Sequence, residues 1–295
     1  MDGTKREALL SAVEAGSITA AAEKMGYTQS GLSYTIAALE AEVGFPLLHR
    51  SRGGVQPTAE CRRLLPLLQD LRRREALLEQ ETADIRGTVV GTLCLATFPS
   101  VARLWLLPLL VEFETLCPGV TVNLQEYGQA ECLRQLRSGQ ADMAFFSRQP
   151  GDGLEWENLR RIGILAVLPE SHPLAESAEL PLDSLADEWF IMPTAESDSD
   201  VCAILEAASF TPRVRFRSRD ELTILAMVRE GLGVGIMSEN WLRNPVPGVA
   251  VRPLVPRAYW QFGAACPCRK ELSPAGRRFW ELVRHRLGAG AAESR

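Results

Sequence analysis

The residues best suited to chemistry are scattered along the chain and form no catalytic pattern. The three histidines, His49, His172 and His285, are too far apart in the sequence to indicate a triad or a metal cluster. Of the seven cysteines only Cys266 and Cys268 are close together, and no CxxC or HxxxH supplies the further soft ligands that zinc needs. Paired carboxylates and a nucleophile elbow are also missing. The sequence therefore favours no catalytic residues, no metal and no cofactor.

Polar residues at the ends of predicted strands form a second group. Each follows an apolar, strand-like stretch, where backbone N–H groups and hydroxyls together can hold an anion. One Ser or Thr in such a place is explained by helix capping alone, whereas several that converge indicate a ligand cleft. The members are Thr97, Ser100 and Thr194, with Gln129 and Arg148 expected at the rim of the cleft. Because Arg148 is the one charged member, the set favours a small carboxylate or another anion as the effector, without identifying it.

A third group shares one face of a predicted helix near the N-terminus. Glutamine can bond adenine through both amide atoms, and serine and tyrosine hydroxyls reach bases or phosphates. Arginines beside the glycine turn that follows are suited to hold phosphates. The residues predicted to contact double-stranded DNA are Thr28, Gln29, Ser30, Ser33, Tyr34, Arg50 and Arg52.

Three short helices and a hairpin must position this third group. Apolar residues at three-four spacing indicate helices at 4–15, 18–25 and 28–42, separated by glycine turns. Two short helices joined in this way are typical of a helix-turn-helix, whose second helix enters the major groove. Residues 45–55 indicate two short strands around a glycine turn, which would form a wing. The alternative is a small helical domain with a polar outer face, but it leaves the wing unexplained.

These N-terminal segments resemble the signature of LysR-type transcriptional regulators. The resemblance is carried by residues 16–23, 27–33, 39–40 and 44–50. Ser30 stands where the family often has proline, and Leu48 stands where it often has phenylalanine. The resemblance implies a winged helix-turn-helix that binds operator DNA, and it leaves RNA polymerase open as a further partner.

A long polar helix with a heptad seam is predicted after the wing, from about residue 58 to residue 85. Pro66 is expected to bend it near its start, and Gly87 marks its end. The helix is interpreted as a dimerisation linker; the alternative is a helix packed on its own domain. The family resemblance implies a tetramer, whereas the seam alone indicates pairing. The seam positions are Cys61, Leu64, Leu68, Leu71, Glu75, Leu78, Thr82 and Ile85.

The rest of the chain alternates strand-like and helix-like stretches, which predicts parallel βαβ units in two α/β lobes. Strands are expected at 89–96, 120–127, 142–146, 162–168, 189–192, 213–216, 234–237, 249–254 and 259–265. Helices are expected at 100–116, 130–138, 198–208, 222–230 and 274–287. Residues 106–110, 118–120, 172–175 and 231–237 resemble the LysR-type effector domain, a fold shared with periplasmic solute-binding proteins.

The predicted fold class is therefore α/β, with an N-terminal winged helix-turn-helix, a linker helix and a two-lobed effector domain. The DNA-binding domain is predicted at 1–60, the linker at 61–87 and the effector domain at 88–295. One lobe would comprise 88–160 plus 268–290, and the other 161–267.

The amino-acid composition limits the possible binding partners and the cellular compartment of the protein. The chain has 295 residues, of which 46% are hydrophobic and 23% charged, and its net charge is −5. This acidic balance argues against nucleic acid unless DNA binding is confined to a small module. Residues 1–60 contain five basic and seven acidic side chains, so we expect weak non-specific DNA binding by one module and tight binding by several together. No apolar run spans a membrane and no signal-peptide core appears, which predicts a cytoplasmic protein without a membrane partner.

Three classes of function explain different parts of the sequence. A ligand-responsive DNA-binding regulator accounts for both halves of the chain. A solute-binding component of a transport system accounts for the C-terminal half but not for residues 1–60. An enzyme is disfavoured because no catalytic constellation appears, and function resides in site residues and not in the fold. The sequence leaves activation or repression open, as well as a redox role for Cys266 and Cys268.

Overall fold

A computed structural model of the chain describes residues 2–51, 53–148, 153–194, 199–206, 208, 210–242 and 244–288. The chain forms two compact units, Met1–Thr82 and Ala83–Arg295. None of the helices in these ranges is both long and apolar enough to cross a membrane.

The first unit begins with the three predicted helices, α1 (Gly3–Ala15), α2 (Ile18–Met25) and α3 (Gln29–Val43). Ser17 and Thr28 cap α2 and α3 by accepting hydrogen bonds from backbone N–H groups of the first turn. Glycines in the left-handed conformation end all three helices. The three predicted helices are confirmed.

The predicted wing is confirmed as an antiparallel hairpin of β1 (Leu48–Ser51) and β2 (Gly54–Pro57). Gly54 has φ 116°, and a Cβ there would lie 2.3 Å from the carbonyl oxygen of Gly16. The N–H of Val55 donates to that same oxygen. Only glycine fits this close approach, which fixes the wing against the turn between α1 and α2.

Helix α4 (Ala59–Ile85) follows the wing, and its first half packs on the same unit. Cys61 and Leu68 are buried in the core that α1 and α3 form. Arg72 pairs with Glu7 and Glu14 of α1. The interpretation as a helix packed on its own domain is therefore correct for this half. In contrast, the seam residues Leu71, Leu78 and Ile85 are exposed.

The second unit contains the remaining elements. Its strands are β3 (Val90–Thr97), β4 (Gly119–Glu126), β5 (Met143–Ser147), β6 (Glu155–Pro169), β7 (Leu180–Pro181), β8 (Trp189–Pro193), β9 (Arg213–Ser218), β10 (Gly235–Ser238) and β11 (Val249–Cys266). Its α-helices are α5 (Pro99–Val101), α6 (Leu107–Leu116), α7 (Gln129–Arg137), α8 (Ser199–Glu206), α9 (Glu221–Arg229) and α10 (Pro274–Leu287).

The main sheet has the order β10-β6-β11-β5-β3-β4, with β7 paired to β11, and β8 pairs with β9 in a second sheet. The predicted parallel pairing is confirmed for β3 with β4 and β5, and for β8 with β9. It is wrong for β6, which is antiparallel to β10 and β11, and for β11, which is antiparallel to β5. Helices α8 and α9 and several strands lie between β6 and these partners, so the alternation of strand and helix along the sequence does not fix which strands become neighbours or their direction.

Two long antiparallel strands join the lobes, and the sequence predicted both too short. Strand β6 starts at Glu155, not at residue 162, because its polar first residues pair with the end of β11. The two strands expected at 249–254 and 259–265 are one strand, β11, with an irregular register between Pro253 and Ala258. The end of β11, from Phe262 to Ala265, pairs with β5 of the first lobe.

The helix predicted at 100–116 is interrupted by a π-helical segment, Ala102–Leu106, between α5 and α6. Such segments are rare and occur frequently at functional sites. Its side chains reach the neighbouring elements: the guanidinium of Arg103 lies 4.4 Å from the ring centre of Trp241, and that of Arg160 lies 4.2 Å from Trp105.

Candidate DNA-binding face and effector cleft

The start of α3 presents the predicted DNA-contacting residues to solvent. Gln29, Ser30 and Tyr34 are exposed, and Tyr34 retains 78% of its accessible surface. The opposite face of α3 buries Leu32 and Ile36 in the core of the first unit. A polar, uncovered N-terminal half on a firmly packed helix is the geometry that a recognition helix requires.

Two of the predicted DNA-contacting residues touch each other. The guanidinium of Arg50, on the wing, donates to the hydroxyl of Ser33 at 2.6 Å. The hydroxyl of Thr28 accepts from the N–H of Gly31 and lies 3.3 Å from the hydroxyl of Ser30, so Thr28 also serves as the cap of α3. Arg52 lies outside the described residues. Helix α3 and the wing therefore present one joined polar surface.

Glu40 holds α3 and the wing together, a role that the sequence analysis missed. Its carboxylate accepts hydrogen bonds from the backbone N–H groups of Leu47 at 2.7 Å and Leu48 at 3.1 Å. Hydrogen bonds to a charged acceptor are stronger than those between neutral groups. A single acidic residue on the inner side of a helix, before a glycine and a hairpin, is the signal that could have indicated it.

In the second unit, strands β3 and β5 end side by side, as the predicted effector cleft requires. Thr97 is fully buried, and its hydroxyl lies 3.3 Å from the carbonyl oxygens of Phe98 and Phe145, to which it donates. Gln129 donates to the carbonyl of Ser147 at 2.9 Å and accepts from the hydroxyl of Ser147 at 3.0 Å. The strand ends therefore lie together as predicted, but the side chains of Thr97 and Gln129 form hydrogen bonds within the protein.

The position expected for Gln129 is wrong, because it is only 5% exposed and does not lie at a rim. Ser147, which the predicted set omitted, completes the pair; a polar residue that ends an apolar strand was the available signal. Ser100 is buried, in the first turn of the helix that follows β3. Arg148 is exposed, and Thr194 is half-buried at the end of β8.

Two open cavities of the second unit lie elsewhere. One has a volume of about 500 Å³ and another of about 420 Å³. Neither is lined by a member of the predicted effector set. Both volumes are within the range of small-molecule sites.

Burial raises the pKa of two cysteine thiols, Cys132 and Cys266, to about 12. The neighbouring carboxylates Glu131 and Glu155 raise these pKa values further. The thiolate is the reactive form, so at pH 8 its fraction is about a thousandfold below that of an ordinary thiol. This gives no support to a redox role for Cys266.

We expect iodoacetamide at pH 8 to leave Cys132 and Cys266 unmodified in the folded protein, as measured by peptide mass spectrometry. The same treatment in guanidinium chloride, where burial is lost, should modify both cysteines and serves as the control. Rapid modification of either residue in the folded chain would contradict the proposed burial.

Both units match known protein families. Residues 5–62 match the family of bacterial regulatory helix-turn-helix proteins of the lysR family, and residues 86–288 match the LysR substrate binding domain. This chain belongs to the LysR family of transcriptional regulators. It is a DNA-binding transcriptional regulator that carries an effector-binding domain.

Relatives of this LysR-family chain support the assignment along its whole length. It is 28% identical over 289 residues to YvbU of Bacillus subtilis, an uncharacterised helix-turn-helix transcriptional regulator, covering 97% of this chain and 99% of that one. It is 31% identical to the probable regulator LrrA of Synechococcus elongatus, over 80% of this chain and 81% of that one. The crystal structure of full-length CbnR complexed with its target DNA shares the fold, with a TM-score of 0.67, 22% identity and coverage of 97% and 99%. The alternative function, a solute-binding protein of a transport system, does not account for the match at 5–62.

Proposed function

We propose that this LysR-family chain reads its operator through the N-terminal half of α3 and holds the DNA backbone with the wing. The contacts are assigned to Thr28, Gln29, Ser30, Ser33, Tyr34, Arg50 and Arg52. The observation that supports this is the exposed polar face of α3, with Arg50 of the wing bonded to Ser33 beside it. A gel shift with the DNA upstream of its own gene tests operator binding, with an unrelated duplex as the control.

The proposed assembly is a homodimer joined along the exposed apolar side of α4, with two dimers forming a tetramer. Leu67, Leu71, Leu78 and Ile85 form an exposed apolar row on this helix, at spacings of four and seven residues. A row of this period is typical of a helix that pairs with another helix. The domain limits 1–60, 61–87 and 88–295 and the two lobes remain part of this proposal, as does RNA polymerase as a further partner. We propose no catalytic activity.

A small anionic effector is proposed to modulate DNA binding from between the two lobes. Its contacts are assigned to Thr97, Ser100, Gln129, Arg148 and Thr194. Support comes from the meeting of β3 and β5 at their ends, where Ser100 lies in the first turn of the helix that follows β3. Because Thr97 and Gln129 are bonded internally, we assign them to shaping the floor of the cleft.

Ser100→Ala is expected to abolish the response to any carboxylate that alters the operator complex of the parent protein, while basal operator affinity stays unchanged. A ligand shifts a two-state equilibrium only by its differential affinity, typically about 5- to 150-fold in coupling. Operator gel shifts with and without the carboxylate measure the effect. Thr121→Ala removes an exposed hydroxyl from β4 of the same sheet and should respond like the parent. An unchanged response in Ser100→Ala would contradict the cleft assignment.

A further inference from the structure

The larger of the two cavities described above is lined by residues from both predicted lobes. It has a volume of about 500 Å³ and lies between α9 and the residues that follow β10. Leu222 and Leu225 of α9 supply an apolar wall, and Trp241 supplies an aromatic one. Arg103 reaches it from the π-helical segment of the first lobe. A mostly apolar cavity with a few polar groups is the usual form of a small-molecule site.

A buried amide in this cavity lacks a hydrogen-bond partner. Asn240 lines the cavity, is only 3% exposed, and its Nδ2 has no partner among the described residues. A buried donor left unbonded destabilises the fold, and such groups in native proteins call for an explanation. An acceptor atom on a bound ligand would satisfy it.

The charges around the cavity favour an anion. Arg103 and Arg229 line it, and no described residue of the lining is acidic. The guanidinium of Arg103 lies over the ring of Trp241, and Arg229 pairs with Glu230 at the exposed surface. Glu221, at the start of α9, interacts electrostatically with Arg103, and burial raises the pKa of its carboxyl.

We propose that this cavity is a second ligand site, separate from the cleft at Ser100, and that it binds an organic anion with an apolar body. The carboxylate of the ligand would accept from Asn240 and the two arginines, and its apolar part would lie against α9 and Trp241. Because Arg103 belongs to one lobe and Asn240 to the other, the bound ligand contacts both. The site does not depend on the proposed effector response, since its occupancy is measured without DNA.

Calorimetric titration of the full chain with 1-naphthoate tests this site, since the probe has two apolar rings and one carboxylate. We expect one molecule to bind per chain with a Kd at or below about 1 mM, a value ordinary for a ligand of this size. The neutral analogue 1-naphthalenemethanol should bind at least about tenfold more weakly, because it lacks the charge that the arginines hold.

Single-residue variants test whether naphthoate binds in this cavity. Arg103→Gln, Arg229→Gln and Asn240→Leu should each weaken naphthoate binding about threefold to tenfold, since the first two remove a positive charge and the third removes a donor. Asn240→Leu should not lower the thermal midpoint of unfolding, because it removes an unbonded buried donor. Arg137→Gln, at an exposed position of α7 outside both sites, should bind like the parent. The proposal is overturned by absence of saturable binding up to about 10 mM, by equal binding of the neutral analogue, or by unchanged binding in all three cavity variants.

Discussion

The double variant Leu71→Lys and Leu78→Lys is expected to be a monomer with a mass of 32.5 kDa in light scattering. Both leucines are exposed on α4, at 42% and 68% of their accessible surface, so lysine at these positions does not disturb the folded chain. In a helix pair, however, the two lysines would place like charges in an apolar seam. Operator affinity should fall by at least about a hundredfold, because linked modules bind with an effective concentration that separate modules lack.

The choice of residues matters, because not every seam position is free for such a test. Leu68 is only 4% exposed and belongs to the core of the first unit, so a lysine there would unfold the DNA-binding module itself. A matched control, Ala76→Lys with Glu79→Gln, changes the net charge by the same two units at exposed positions of α4 outside the apolar row. It should remain an oligomer. An oligomer of unchanged size in the Leu71 and Leu78 variant would move the interface elsewhere.

Gln29→Ala is expected to lose discrimination at one base pair of the operator. A bidentate contact from an amide to adenine contributes about 1–3 kcal/mol, so affinity for the operator should fall about tenfold to a hundredfold while affinity for random DNA stays the same. Gln29 is exposed at the start of α3, and its loss leaves the core of the unit unchanged. Fluorescence anisotropy with the operator and with single-base variants of it measures the effect.

Two comparisons make this result specific to the recognition helix. Gln69→Ala removes the same side chain from α4 and should behave like the parent. Arg50→Ala should weaken binding to all sequences and reduce the salt dependence by about one unit, because it removes a phosphate contact. It also removes the hydrogen bond to Ser33, so the two residues should not act additively. Equal discrimination by Gln29→Ala and the parent would exclude Gln29 from base contact.

The N-terminal module could be predicted from the sequence because its signals are local. Ser17 and Thr28 cap helices that start at the next residue, and glycines end them. Helix α10 likewise begins and ends at the predicted residues, with Ser273 as its cap and Pro274 in its first turn. Such signals lie within a few residues of the structure that they specify.

The parts that could not be predicted depend on residues distant in sequence. Glu155 is in a strand only because it pairs with Cys266, far along the chain. Gln129 is buried because Ser147, on another strand, satisfies its amide. The polar character of Glu155 and Gln129 indicated a loop and an open rim, and tertiary pairing overrode both. The same reasoning explains why the buried, unbonded amide of Asn240 had no signal in the sequence.

Selection from a pool of random DNA duplexes tests the central claim, sequence-specific recognition by α3, most directly. The parent chain should enrich an inverted repeat, because a twofold-symmetric dimer places two recognition helices on two related half-sites. Gln29→Ala should enrich half-sites that have lost their preference at one position. Enrichment of the same sequences by both proteins, or of no sequence by the parent, would contradict the account.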